Sequence, residues 1–532
     1  MAEQESSKCL EQVEKQISDA KRMMKVNWES YVNAPFDMAR QHLAKADKLL
    51  IEARGLQFAD PEDSLSKLKL ASSWALDGYL CSLPSRTAEA RGVWYRAIER
   101  SREDVSRTLD RMKAAGFNEL YLETWLWGYT IFPSRTAVAK QIQEQHPAFR
   151  GWDPLEAFIH EGEKRGIAVH AWLDGFMVGV DAKGGPVLRA YPAWSALSRR
   201  QADAKKPMPQ QGTGYFWLDI TNPDVRDYVL HIVKEIITTY GVAGINLDFM
   251  RFPHTNNNWE DCYCFSSYAR EAFKREHDLD PYEIHADKHR ELWATWMKWI
   301  ERIEDEFVAE LYKEIKRISP NVIVSAAPEP GAESEKIGNW SQYVDVVIPQ
   351  AYYDNAAEVR KSVQLHQNVL APGNLVYSGI YPMYAKLESQ ETINQVLAAR
   401  DMDKGTVIFA FGQATFETIR ALRIGPWRND AISTGMFPLL AIQALLVAIK
   451  TDVVQVYLPR HAMTENAAME LINTVDLLLD NVQSDDMLAA CRKCLLKATE
   501  EETIRSTVAL QLTNTLTEIQ ELLRYSQIKH VK

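Results

Sequence analysis

Residues 217–253 read WLDITNPDVRDYVLHIVKEIITTYGVAGINLDFMRFP, and this stretch decides the fold. Asn222-Pro223 places a capping residue ahead of a proline at the first helical position. Beyond Gly241 the pattern changes to a short apolar run over 244–252 that reads as a strand. A helix that delivers the chain into a strand is one unit of an alternating α/β protein. The same switch recurs outward in both directions from Arg91 to about residue 425, with strands predicted at 92–98, 119–125, 168–176, 244–252, 322–328, 346–352, 375–381 and 405–411. Ser101 with Asp104 three residues on, and Asp153-Pro154, start two of the intervening helices. A longer one, from about Arg290 to Ile318, keeps apolar residues at 292, 296, 299, 303, 307, 311, 315 and 318, a core-facing stripe. Eight such units predict an α/β fold, the (β/α)8 TIM barrel, whose closure leaves no sheet edge exposed. An open doubly wound sheet is the alternative, but no Gly-rich dinucleotide loop follows the first strand.

The flanks are of a different kind. Only Gly55 and Gly78 occur before residue 90, and neither glycine nor tryptophan occurs after Gly435. Apolar residues at 10, 13, 17, 20 and 24 and at 39, 43, 46, 50 and 53 keep helical spacing on either side of Pro35, and a third segment spans 65–83. The expected division is therefore a helical region over 1–90, a catalytic barrel over 91–428 and a second helical region over 429–532. The last keeps apolar stripes at 468, 471, 475 and 478 and at 512, 516, 519 and 523, for which packing on the barrel or an interaction role are the two readings.

The 532 residues are 46% apolar, 25% charged and 10% aromatic, which excludes disordered, collagenous and disulfide-scaffold classes. A net charge of −11 repels phosphate backbones and argues against nucleic acid as a partner. Six cysteines without paired zinc-ligand spacing read as free thiols, so no metal and no cofactor are expected. The N-terminal MAEQESSKCLEQVEK has no apolar stretch after a basic start, so the expectation is a cytoplasmic chain, or an exported one if a leader has been trimmed. The most apolar run, 437–449, is too short to cross a bilayer, is interrupted by Gln443, and reads as a buried helix. The oligomeric state is not legible.

In such barrels the active site is built at the carboxyl ends of the strands. Those ends here carry Glu123 and Trp125 (strand two), His170, Trp172 and Asp174 (three), Asn246, Asp248 and Arg251 (four), Glu329 (five), Gln350 and Tyr352 (six) and Tyr381 (seven). A cleft of aromatic faces, carboxylates and amides suits a sugar, and two carboxyl groups suffice to cut a glycosidic bond. Asp248 and Glu329, on adjacent strands, form the expected catalytic pair. In this reading Arg251 holds Asp248 ionised and a drier setting keeps Glu329 protonated as the acid. The remaining ten residues are expected to line the substrate site. His170, deeper in its strand, also fits a core histidine, and Trp172, Tyr352 and Tyr381 fit barrel filling equally well. No lysine lies inside the strands and no His-x-His opens strand one, which argues against Schiff-base and metal-dependent barrel chemistries.

At these residues the chain resembles the bacterial glycosyl-hydrolase-like family 10 barrels, distant relatives of the α-amylase type of hydrolase. The matching stretches are RGVW (91–94), HAW (170–172), WLDITNPDVRDY (217–228), GINLDFMRFP (244–253), SAA (325–327) and DVVIPQ (345–350) with Tyr352. The resemblance implies glycoside hydrolysis of an oligo- or polysaccharide, with retention of configuration, Asp248 matching the strand-four nucleophile and Glu329 the strand-five acid by position. Some relatives are similar to enzymes that cut cell-wall glycan strands stripped of peptide, which makes an amino-sugar polymer one candidate substrate. Three departures imply a retuned pocket: Pro-Glu-Pro where the family tends to Phe-Pro-Asp, Asp174 near an asparagine position, and Gln350 within a Pro-Met-Asn position. The alternative function is a catalytically silent glycan-binding barrel with a helical interaction tail.

Overall fold

The computed structural model describes residues 2–181, 184–253, 258–329 and 333–531, with the side chains of 2–4, 333–336 and 529–531 outside the description. Eight parallel strands follow one another around the barrel: β1 (Ala90–Tyr95), β2 (Glu119–Leu126), β3 (Ala168–Leu173), β4 (Gly244–Leu247), β5 (Ile323–Ala326), β6 (Val346–Val347), β7 (Leu375–Val376, continued by Ser378–Ile380) and β8 (Gly405–Phe409). Each pairs in parallel with the next, as in Gly92 with Glu119 and His170 with Gly244. β7 closes the ring: its first half pairs with β6 and its second with β8, while β8 pairs back to β1 from Ala90–Gly405 onward. This is the (β/α)8 barrel that the alternating pattern predicts.

Alternation along the strands feeds two cores. Ala90, Trp94, Tyr121, Trp172, Ile323, Val346, Tyr377 and Val407 belong to the barrel interior. Val93, Leu120, Leu122, Leu173, Ile245, Val324, Val347 and Ile408 face the surrounding helices. The predicted helix starts form: the side chains of Ser101, Asp153 and Asn222 accept from the backbone N–H groups of Asp104, Glu156 and Asp224. Prolines 154 and 223 occupy the first turns.

The helices Ala2–Glu29, Phe36–Leu56 and Pro61–Cys81 build a small core of their own around Leu10, Val13, Ile17, Leu68 and Ala71. They dock on the barrel through the Asp77–Arg420 pair (2.5 and 2.6 Å) and the Tyr79 hydroxyl on Asn394. Four helices follow the barrel: Pro438–Asp452, Glu465–Asp480, Asp485–Glu500 and Ser506–Val531. Their apolar faces merge with the barrel interior in one cluster that joins Ala88, Ala90 and Tyr377 to Ile442, Leu446, Val508 and Tyr525, so they seal the amino end of the strands. The apolar run near 437–449 is longer than the sequence suggests, because helical backbone continues through Tyr457. That makes a 20-residue helix with an 18-residue stretch of mean hydropathy 1.7, a length and composition that would also cross a membrane. Its inner face, with Ala441, Leu446, Ile449 and Val453, lies in this core.

Candidate active site

The carboxyl end of the barrel carries the acids. Asp248 follows β4 and is 8% exposed. Its Oδ2 accepts from the Trp172 indole (3.1 Å), and its Oδ1 from the Phe249 backbone (2.9 Å) and the Gln350 amide (3.2 Å). The turn after β3 fits closely against this residue: Gly175 has φ +46°, and a Cβ there would stand 2.6 Å from the Asp248 carbonyl oxygen. Phe249 itself is left-handed (φ 51°), a strained conformation for a bulky residue directly beside the carboxyl group.

Two further acids stand close by. Glu123, within β2, accepts from Arg96 Nε at both carboxylate oxygens (2.9 and 2.8 Å). Asp174, beyond β3, is fully buried, and the Trp127 backbone N–H approaches it at 3.5 Å. Burial pushes the Asp248 pKa up to about 7; Arg251 opposes the shift and Glu329 adds to it. Burial likewise raises Glu123 to about 7 against the pull of Arg96. Asp174 is raised well above the usual carboxylate range by burial first and then by the charges of Glu123 and Asp248. A cluster of strongly shifted carboxyl groups at a barrel mouth marks a functional site.

Arg251 draws the Asp248 pKa down, as expected, without pairing with it. Its Nη2 donates to Glu329 Oε1 at 2.7 Å, and its guanidinium lies over Trp217 and Phe249. Its direct partner is thus Glu329 rather than Asp248, and Glu329, with a side chain 34% exposed, is the wetter acid rather than the drier one. The acids Glu333 and Glu335, which neighbour it in sequence, have side chains outside the described residues.

Three residues expected at the substrate lie elsewhere. Trp125 packs edge-on against Tyr228 between sheet and helices, 1% exposed. The cause is a β-bulge: Glu123 pairs with Trp172 and Trp125 with Leu173, so two steps on β2 match one on β3, and Trp125 joins the outward set. Asn246 is fully buried within the barrel, its amide spent on the Trp94 indole (3.1 Å) and the Ser325 hydroxyl (2.9 Å). His170 stacks on Tyr121 (4.7 Å) a layer below the mouth, 3.8 Å from Glu119, as a core histidine does.

Trp172 (3% exposed), Gln350, Tyr352 and Tyr381 do gather around Asp248 and its aromatic rim, Tyr352 standing 5.1 Å from Tyr381, whose hydroxyl donates to Asp354. Among the loop aromatics, Tyr191 and Trp194 stack on each other at 4.1 Å. Sequence reasoning missed Arg96 and Phe409. Arg96 lies over the Trp172 and Phe409 rings at 5.2 and 5.7 Å. Both could have been found by counting inward positions on, two past Trp94 and two past Val407. Among the described residues no group of three His, Cys, Asp or Glu side chains is placed to hold a metal ion.

Comparison with known proteins agrees with this geometry. A TIM barrel whose acids converge at its carboxyl end is one of the architectures that glycoside hydrolases use, among the many chemistries this fold hosts. The chain belongs to the family described as Glycosyl hydrolase-like 10, whose model matches residues 87–391. It is 26% identical over 228 residues to the glycosyl hydrolase DigH of Escherichia coli strain K12, covering 41% of this chain and 46% of that one. To the glycosyl hydrolase YngK of Bacillus subtilis it is 19% identical over 293 residues, 48% and 50% of the two chains. The chain thus spans about half the length of the curated relatives it matches. Among solved structures, the β-amylase catalytic domain of Paenibacillus polymyxa superposes with TM-score 0.45 at 8% identity, over 63% of this chain and 95% of that one. The α-galactosidase AgaA of Geobacillus stearothermophilus gives 0.42 at 12% identity, over 65% and 44%.

Proposed function

We propose that the barrel hydrolyses glycosidic bonds of an oligo- or polysaccharide through two carboxyl groups, Asp248 and Glu329. The observation that carries this reading is the setting of Asp248. Both of its oxygens accept N–H bonds, which suits the carboxylate form, while burial holds its pKa near 7. A carboxylate kept costly in the resting site is relieved when positive charge develops on the sugar, so its interaction is strongest in the transition state. Asp248 then attacks the anomeric carbon or steadies its charge. Glu329 is the acid with solvent access, since Glu123 and Asp174 are 1% and 0% exposed. Displaced from Arg251 by substrate, it takes up a proton from solvent and delivers it to the leaving oxygen. In the retaining form of the reaction a water, deprotonated by the same group, completes hydrolysis.

A second reading, a barrel that binds glycan without cutting it, draws on the 8% exposure of Asp248 and on the Arg251–Glu329 pairing. Product analysis with peptide-free peptidoglycan strands, α-glucans and chitin oligomers separates the two. Release of shorter sugars by the native chain and none by Asp248→Asn supports hydrolysis. Glycan retention with no new reducing ends from the native chain supports the binding module.

A further inference from the structure

The acids of the mouth come from β2 to β5, while its rings, Trp172 on β3 apart, come from β6 to β8 and continue outward past Tyr381. Trp172, which donates to Asp248, stands 6.2 Å from Phe409 between ring centroids. Tyr384 stands 6.3 Å beyond Phe409 and 6.2 Å from Tyr381, and Tyr352 bridges Phe409 and Tyr381 at 5.9 and 5.1 Å. Exposure climbs along this series from 3% at Trp172, through half-buried Phe409, to 63% at Tyr384. A lone exposed aromatic ring needs no explanation, but this one ends an unbroken run of rings that begins at the catalytic carboxylate. It is also firmly placed: the adjacent Pro382 and Met383 are buried, and the Tyr381 hydroxyl is held by Asp354 at 3.1 Å. The rings meet steeply, at 84° between Trp172 and Phe409 and 61° between Phe409 and Tyr384, so the exposed Tyr384 is the ring of this run with a face open to the CH side of a pyranose unit.

We propose that Tyr384 is the outer platform of a remote sugar subsite, so that the substrate is a glycan chain reaching from Asp248 across the β6–β8 side of the mouth rather than a disaccharide. This rests on the reading of the mouth as a glycan site. A chain that reaches from Asp248 to Tyr384 is anchored away from its scissile bond, where binding energy improves capture without touching the reacting atoms.

The test uses the full chain, its Tyr384→Ala and Tyr384→Phe variants, and chito-oligosaccharides, malto-oligosaccharides and peptide-free peptidoglycan strands of graded length, read by binding and by initial rate. In the native chain KM on the accepted glycan falls with length to a plateau. Tyr384→Ala raises KM for the longest chains about three- to tenfold and removes the length dependence, as loss of one aromatic contact requires; Tyr384→Phe restores it. An alanine variant that keeps the length dependence, or native protein that binds none of the three series, overturns the subsite. Length-dependent binding that Tyr384→Ala abolishes, without cleavage by any form, leaves the subsite standing and removes hydrolysis.

Discussion

The two ends of the barrel treat most of their buried charge in opposite ways, with Asp403 at the amino end, pushed up to about 6 by burial, as the exception. At the amino end Glu89 is enclosed by Arg91 at 2.9 Å and Arg400 at 2.7 Å. Burial there would raise its pKa, yet Arg400, Arg91 and Arg86 together hold it below the ordinary value. Lys316 meets Asp345 at 2.6 Å and Lys404 meets Glu521 at 2.8 Å, the latter tying the last helix to the strands. At the carboxyl end Glu123, Asp174 and Asp248 crowd together and all three are raised. Most charges at one end are matched and hold the sheet to its helical seal; charges at the other are left in excess, a cost in stability that the proposed hydrolysis would repay in function.

The sharpest way to break this contrast is Asp248→Asn. Turnover should fall by about three orders of magnitude, the scale of a lost carboxyl group in acid–base or nucleophilic catalysis. The same substitution should stabilise the fold. With a folded pKa of about 7 against roughly 3.9 in the unfolded chain, the folded state alone binds the proton between those values. Native stability therefore declines as pH rises through that window, and the gain in the variant is largest above pH 7, up to about 4 kcal/mol, and fades toward pH 4. Thermal melts at pH 4, 6 and 8 check the sign; a variant less stable at pH 8 would contradict the account.

At the amino end the opposite holds. Glu89→Ala strands two buried guanidinium groups and should destabilise by about 3–5 kcal/mol, read by urea unfolding; a neutral result would mean that the pairing there is dispensable. Arg251→Ala removes the cation that draws Asp248 down, so the acidic limb of kcat/KM against pH should move upward by about one unit. A limb that stays in place, or moves down, excludes Asp248 as the group reported. The smallest effect is expected for Tyr525→Phe, which deletes the buried hydroxyl bond to the Gly435 carbonyl (3.2 Å). Chemical denaturation should show a loss of about 1 kcal/mol.

Much of this was legible in one dimension. Helix starts at Ser101, Asp153 and Asn222 form where their side chains can reach the next backbone N–H groups, a purely local matter. The strand runs announce themselves because both of their faces are buried. Trp125 escaped because a bulge is a mismatch between two strands, and β2 alone carries no mark of it. His170 and Asn246 sit on the inward face as expected, but which inward layer opens to solvent depends on how far each strand climbs relative to its neighbours. Arg251 was placed on the nearer acid in sequence and is found on the acid across the strands.

The chain's own pattern settled the class of fold, the order of its elements and the gathering of Asp248, Trp172, Gln350 and Tyr352 at one end, since these follow from periodicity and from where apolar runs stop. Only the closed barrel decided which acids are dry, which cation meets which carboxylate and how far the aromatic rim extends. Those properties arise from distances between segments far apart in sequence, and burial and Coulomb interaction act through space.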